Sequence, residues 1–425
     1  MNFGTHSTVE YLAIRLLHRW VPKWYEAFSD PKTDGFYERL GHSFQPVRTG
    51  SRRLLTQCRQ LSIYSHASLQ PDCPEFGANL KKNFEHIINR YYNAETGLWR
   101  FSLNDDGAVA DENCDLYSIT FVIFSFSYYF RVSGDVRARD YAIKTLDMID
   151  KKFRMAPAGF AECLGPDGKQ LCQMRRQNPH MHLLEACLFA HETWGDLAWL
   201  SMAGEMVSMF HGYFFEEANC ALHEFFTDDL KPHPEKGGRV EPGHYFEWIW
   251  LLKRYATAMG DAKRFDALCA RLLTWANAHG WDEVHGGIYD VVSPDGTLLV
   301  DTKRLWPFTE ALKANAMMLD AAGSDKDVVK ARIAEMVRVF QSQYMQERGF
   351  WFEWLSRDLV PQTDYMPGTS PYHVYFGIME TRRHLHARGY SVSLVAPMMN
   401  VAYKLRRALS MRVRAVRFFF KKIKA

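Results

Sequence analysis

The chain lacks most of the motifs that announce a reaction. It has no C-x-x-C pair, no HExxH and no Cys/His cluster, so nothing in it reads as a zinc or dithiol centre. A P-loop and a GxGxxG turn are missing, which removes the usual phosphate and dinucleotide cradles. There is no GxSxG elbow to carry an acyl-transfer serine. No window approaches the ~18 uncharged apolar residues of a membrane-spanning helix. The start, MNFGTHSTVEYLAIRLLHRW, lacks a basic segment followed by a purely apolar one, so no signal peptide is expected. With 27 Gly and 17 Pro in 425 residues, the chain is neither collagenous nor broadly disordered. Its 8 cysteines show no pairing pattern and are expected to be reduced, mostly buried thiols of a cytoplasmic protein.

The net charge of +3 is unevenly placed. Nine basic residues and no acidic one follow from Lys404 onward, leaving residues 1–403 at about −6. A mildly acidic body excludes a nucleic-acid-binding role for it.

What the chain does have is an internal repeat. GFYE at Gly35, GLWR at Gly97, GFAE at Gly159, ALHE at Ala221, GIYD at Gly287 and GFWFE at Gly349 recur at spacings of 62, 62, 62, 66 and 62. Between them, stretches such as NLKKNFEHIINRYY and RARDYAIKTLDMIDKKF alternate apolar and charged faces at helical period. Others, such as SITFVIFSFSYYF and HYFEWIWLLKRY, are apolar nearly all round and must be buried on more than one side. Turn-rich segments such as SPDGTL and LGPDGKQ suit small hairpins. The expected fold is all-α: one (α/α)6 barrel of six helical-hairpin repeats with short β-hairpin connections. An open helical solenoid is the rival, but its concave face would expose these apolar helices.

Polar residues fall in one register of this repeat. Counted from the first motif residue, Arg59 lies at +24, His182, His244 and Glu310 at +23, and His373 at +24, with Phe121 in the equivalent place of the second repeat. One turn earlier stand Tyr117 at +20 and Asn178 and Trp306 at +19. In a closed barrel such positions form a ring, so three histidines, an arginine, a carboxylate and aromatics are expected to converge on one site. Asn178 and His182 share a helix face at i and i+4, whereas His180 points elsewhere and is read as structural. His244 and Glu247 are i and i+3, a spacing that lets the carboxylate fix the imidazole tautomer; a salt bridge from Glu247 to an inner-helix arginine is the alternative. The pairs His180/His182 and His384/His386 sit at i and i+2, on different sides of a helix, and make no metal site. The expected chemistry is proton transfer by histidine with no cofactor and no metal.

The segments that carry these residues resemble the N-acylglucosamine 2-epimerase family, which includes mannose isomerases, sulfoquinovose isomerase and cellobiose 2-epimerases. They are LLTQCRQLSIYS, DLYSITF, RRQNPHMHLLEA, EPGHYFEWIWLL, KRLWPFTEALKA and GTSPYHVYFGIME, spanning residues 53–380. The resemblance implies an (α/α)6 barrel acting on the open chain of an aldose or ketose. It implies that His182 assists ring opening and that His244 and His373 are the acid/base pair. By the same resemblance Arg59, Asn178 and Tyr117 hold the sugar and its enediolate oxygen, Glu247 orients His244, Trp306 packs on the sugar, and Glu310 joins the substrate-binding set. Ile119 stands where many relatives have a histidine, and MPGTSPY precedes His373 where many have a Trp-Lys pair. Mannose–fructose-type isomerisation is the favoured outcome. A 2-epimerase of N-acetylglucosamine or a glucoside, and an inactive sugar-binding barrel, are the alternatives.

The expected layout is a catalytic domain over residues 1–400, as monomer or homodimer, and a basic amphipathic tail over 401–425. The segment SLVAPMMNVAYKL, residues 393–405, is expected to supply the last outer helix. Beyond them the tail is either a solvated helix docked on the acidic body or a peripheral contact with the inner, anionic face of a membrane.

Overall fold

The computed structural model describes residues 5–70, 73, 76–171, 174–320 and 326–386. Its helices are α1 (Thr5–Arg15), α2 (Val21–Phe28), α3 (Leu54–Ser68), α4 (Gly77–Arg90), α5 (Leu116–Ser133), α6 (Val136–Met148), α7 (Gln177–Trp194), α8 (Leu197–Met209), α9 (Pro242–Ala258), α10 (Asp266–Gly280), α11 (Leu305–Met317), α12 (Lys326–Val339) and α13 (Pro371–His386). The odd-numbered helices from α3 to α13 are the apolar ones, and each packs on the next: α3 on α5, then α7, α9, α11 and α13, which returns to α3. The even-numbered helices from α4 to α12 lie outside them.

Composition decides which layer a helix joins. In α5, LYSITFVIFSFSYYFRVS, every residue from Ser118 to Tyr129 is buried, so it can only sit with neighbours all round. Asp115 caps its start by accepting from Ser118 N at 2.8 Å, and Gly134 ends it at φ 67°, a conformation that costs glycine little. In α4 one face is buried through Leu80, Phe84, Ile87 and Ile88, while Lys81 and Lys82 on the other face stay in water. The connections are small antiparallel pairs, such as Arg175–Arg176 with Phe225–Phe226 and Lys303–Arg304 with Trp354–Leu355. Each pair ties the residue just ahead of an inner helix to the following motif.

The partner of the last inner helix comes from the start of the chain. α1 packs on α13 and α12, and Arg382 of α13 pairs with Glu10 of α1 at 2.7 and 2.8 Å. The described outer neighbour of α13 is therefore N-terminal. The expected last outer helix at 393–405 and the tail at 401–425 lie outside the described residues. Just after α1, Trp20 and Trp24 donate their indole N–H to Glu347 O and Gly349 O at 3.1 and 2.7 Å. Gly349 has φ 87°, and a Cβ there would stand 2.8 Å from the Trp20 ring, so only glycine fits under the tryptophan. Trp24 is wholly buried and meets Trp351 edge-on, with ring centres 5.3 Å apart. Replacing Trp24 by Ala is expected to cost about 3–5 kcal/mol, read by urea unfolding. A loss below about 1 kcal/mol would mean that the N-terminal segment does not lock the last repeat.

Candidate active site

The polar residues in register do meet. Arg59, Tyr117, His182, His244, Trp306 and His373 all lie in the first two turns of their inner helices, at one end of the ring. Arg59, His182, His244 and His373 are between 3 and 7% exposed. A surface hollow of about 790 Å³ lined by Leu197, Gly204, Met209 and Tyr255 lies on the outer layer and contains none of these groups.

The three histidines share one construction. Each has Nδ1 against a buried carboxylate: His182 with Glu185 at 2.8 Å, His244 with both oxygens of Glu224 at 2.8 Å, and His373 with Glu310 at 2.9 Å. A carboxylate there fixes the proton on Nδ1, and in His182 and His244 Nε2 then faces Glu247. Glu247 has one oxygen 3.9 Å from His182 Nε2 and the other 4.0 Å from His244 Nε2. The Trp306 ring touches two of the histidines, its centre 5.0 Å from the His244 ring and 5.6 Å from the His373 ring.

Arg59 completes the cluster. Its guanidinium donates to Tyr117 OH at 2.6 Å and to Thr369 O at 3.4 Å, and lies over the rings of Phe121 and Tyr372 at 4.3 and 4.6 Å. Its Nε has no hydrogen-bond partner, and neither has Asn178 Oδ1. These are the donor and acceptor that a bound molecule could satisfy.

The surroundings set the histidines apart. Burial pushes His373 down to about 3, with Arg59 adding to this and the Glu310 bond opposing it, so its Nε2 carries no proton at neutral pH. Burial would also depress His244, but Glu224 outweighs it, followed by Glu241 and Glu247, and the group rises to about 9. His182 is lowered by burial against the pull of Glu185. Glu247 is raised well above the carboxylate range by burial and by Glu310.

Two expected roles change. Glu247 does not orient His244: Glu224 reaches Nδ1 first from the hairpin ahead of the helix, and Glu247 faces Nε2 instead. Glu310 is not open to a substrate, because its oxygens are taken by His373 and by buried Lys313, which itself lies 3.8 Å over the Trp250 ring. The placements of His182, His244, His373, Arg59, Tyr117 and Trp306 agree with the register, and half-buried Asn178 lies one turn before His182. His180 accepts from Phe160 N at 3.0 Å and bonds Arg176 O at 2.9 Å, both structural tasks.

Sequence reasoning passed over Glu185, Glu224, Lys313 and Tyr372, whose hydroxyl donates to Glu185. Glu224 was findable, since it is the carboxylate of the ALHE motif. Among the described residues one group, Glu247, Glu310 and His373, brings three potential metal-ligand atoms within 4.8 Å of one another. Glu310 is already ion-paired with Lys313 and bonded to His373 Nδ1, so the trio is not an open ligand set.

The sequence profile of the N-acylglucosamine 2-epimerase (GlcNAc 2-epimerase) family matches residues 35–377. The chain is 29% identical over 389 residues to mannose-6-phosphate isomerase of Rhizobium meliloti (strain 1021), covering 89% of this chain and 98% of that protein. It is 28% identical over 357 residues to N-acylglucosamine 2-epimerase of Bos taurus, covering 81% and 83%. Among solved structures, cellobiose 2-epimerase from Spirochaeta thermophila DSM 6192 superposes with a TM-score of 0.80 at 20% identity, over 90% of this chain and 98% of that one. The match runs from the first repeat motif to the helix that carries His373, and on that extent the chain belongs to the N-acylglucosamine 2-epimerase family, whose members are sugar isomerases and 2-epimerases.

Proposed function

We propose that this chain is a single catalytic unit, an (α/α)6 barrel, that interconverts an aldose and a ketose of the mannose–fructose type by histidine-mediated proton transfer. The observation that carries the reading is the shared construction of the three histidines, each held at Nδ1 by a buried carboxylate at the same end of the inner helices. Proton abstraction next to a carbonyl needs a base without a proton, an acid with one, and a cation for the oxygen that becomes negative. His373 is the base. It takes the proton from carbon 2 of the open-chain sugar. Arg59, with Tyr117 at its Nη2, meets the enediolate oxygen. His244 enters charged and protonates O1 to give the enediol; it then takes the proton from O2 as protonated His373 delivers a proton to carbon 1, which returns both imidazoles to their starting states. His182, whose Nε2 is bare, serves ring opening with Glu247 beside it. Trp306 packs on the sugar beside the two reacting imidazoles.

The substrate is an uncharged sugar rather than a phosphate. The relative from Rhizobium meliloti is named for a phosphorylated one, but the cations near this site are already matched. Lys313 pairs with Glu310, Arg176 with Glu162, and Arg304 with Asp290 and Glu241. Among the described residues of the cluster, Arg59 alone is a permanent cation without a carboxylate partner.

A second reading, 2-epimerisation, has its own observation: the Trp306 ring is in contact with both His244 and His373, so two histidines stand near one ring and a proton taken from carbon 2 by one can be returned by the other. Proton NMR of mannose, fructose, N-acetylglucosamine, cellobiose and mannose 6-phosphate incubated with the protein separates the two. The expected result is mannose–fructose interconversion and no turnover of the phosphate. Epimer formation without ketose would favour the second reading, and no change in any sugar would overturn both.

A further inference from the structure

The repeat that carries His244 breaks a pattern kept by three others. In the first, third and fifth repeats the motif carboxylate reaches the residue just ahead of the inner helix. Glu38 accepts from the backbone N and Nε of Arg53 at 3.0 and 2.7 Å. Glu162 accepts from the same atoms of Arg176 at 2.6 and 2.8 Å, and Asp290 from those of Arg304 at 3.2 and 2.7 Å. Each time the arginine folds back and neutralises the acid.

In the fourth repeat the residue ahead of the helix is Glu241. Glu224 still accepts from its backbone N, at 3.3 Å, but no guanidinium comes with it. The Glu241 carboxylate turns away to Arg304 Nη2 at 2.8 Å. Glu224 keeps a bond from Gln177 Nε2 at 2.9 Å, and that amide is oriented by Trp248 Nε1, which donates to its oxygen at 2.8 Å. The remaining capacity of Glu224 goes to His244, whose Nδ1 is equidistant from both oxygens.

We propose that Glu224 is a positioning residue for proton transfer: the exchange of arginine for acid at 241 frees its carboxylate, and that carboxylate keeps His244 charged with Nε2–H aimed at the substrate. This rests on the reading of His244 as the acid. The groups facing His244 are Glu224 from the hairpin, Glu241 and Glu247 from its own helix and the turn before it, and His182 from α7; Trp306 of α11 brings a ring and no charge. Glu241 is shared with Arg304, and Glu247 faces Nε2 at 4.0 Å, which leaves Glu224 as the charge in direct contact with Nδ1.

Two variants test this in the full-length protein: Glu224→Gln, which removes the charge at constant shape, and Glu241→Arg, which restores the residue of the other repeats and should draw Glu224 back. The first measurement is the titration of the His244 ring by proton–nitrogen correlation NMR. It should show a midpoint near 9 in the unaltered protein and a fall of about two pH units or more in either variant. The second is the pH profile of kcat/KM. Its alkaline limb should move to lower pH, with a loss of about 100-fold at pH 8.5 and less than about 10-fold at pH 6, mainly in kcat. An unmoved His244 midpoint in a folded variant, or a loss by the same factor at every pH, overturns the assignment. If Glu224→Gln does not fold, Glu241→Arg carries the same two readouts with Glu224 intact. The NMR titration needs no turnover. A His244 shift in a protein that converts no sugar would sink the isomerase reading and leave the role of Glu224 toward His244 standing.

Discussion

Replacing His373 by Asn is expected to lower turnover by about 100-fold or more, and His244→Asn by a similar factor. Both residues lie at matched depth in their helices, both are buried, and both pack against the Trp306 ring. They are not interchangeable. With Nδ1 on Glu310 and burial holding it near 3, His373 is a base throughout the neutral range. With Glu224 holding it near 9, His244 is an acid over the same range. Groups pushed apart in this way divide the acid and base tasks between them. The activity profile should accordingly be broad and flat through neutrality. His182→Asn should reduce turnover while leaving proton exchange on an open-chain substrate largely intact, because its proposed task precedes the chemistry. Steady-state assays with mannose and fructose decide the matter. Near-normal turnover in folded His373→Asn would remove it from the mechanism.

The second large effect is on stability in mild acid. His66 and His86 are held down to about 4, and His180 and His373 to about 3, in each case chiefly by burial. A histidine whose folded value lies below its unfolded value of about 6.5 stabilises the fold fully above that pH and progressively less as the pH falls toward the folded value. Unfolding near pH 5 should therefore take up close to four protons from these groups. The resulting slope is on the order of 5 kcal/mol per pH unit, a large share of the roughly 5–15 kcal/mol of a typical domain. His244 does not offset this, since it is charged in both states below pH 6.5. The buried carboxylates Glu310 and Glu380, held at about 2, add their loss only below about 4.5. Thermal melts at pH 7, 6, 5 and 4.5 should show a steep fall in Tm starting just below pH 6.5. A Tm that is flat between pH 7 and 5 would mean that these imidazoles are not held neutral in the fold.

Several of these features are legible in the sequence, for reasons that can be stated. The inner helices are apolar all round, and no solvent-facing site would tolerate SITFVIFSFSYYF. The 62-residue register then places Arg59, His182, His244 and His373 at one depth without any coordinates. His180 was separable from His182 because residues two apart on a helix diverge.

The failures have equally local causes. His182–Glu185 and His244–Glu247 have the same i, i+3 spacing, yet only the first pair bonds through Nδ1. The difference is a carboxylate from another segment, Glu224, which helical spacing cannot foresee. Glu310 reads as one more polar residue of the register, and nothing in its spacing shows that Lys313, one turn on, neutralises it. In the described structure α13 also has an outer neighbour that the repeat does not announce: α1 packs on it from before the first motif, where no repeat signature exists. Nothing in the repeat register marks Tyr372, and only the fold brings its hydroxyl to Glu185, 187 residues away.

The central claim is that protein histidines, not the sugar itself, carry the hydrogen from carbon to carbon. Turnover of mannose in deuterated water, followed by proton NMR of the product, tests it most directly. The account predicts solvent deuterium on the carbon that receives the proton in the unaltered protein, with loss of both turnover and label in His244→Asn and His373→Asn. Product formed at the normal rate with its original hydrogen and no deuterium would contradict it.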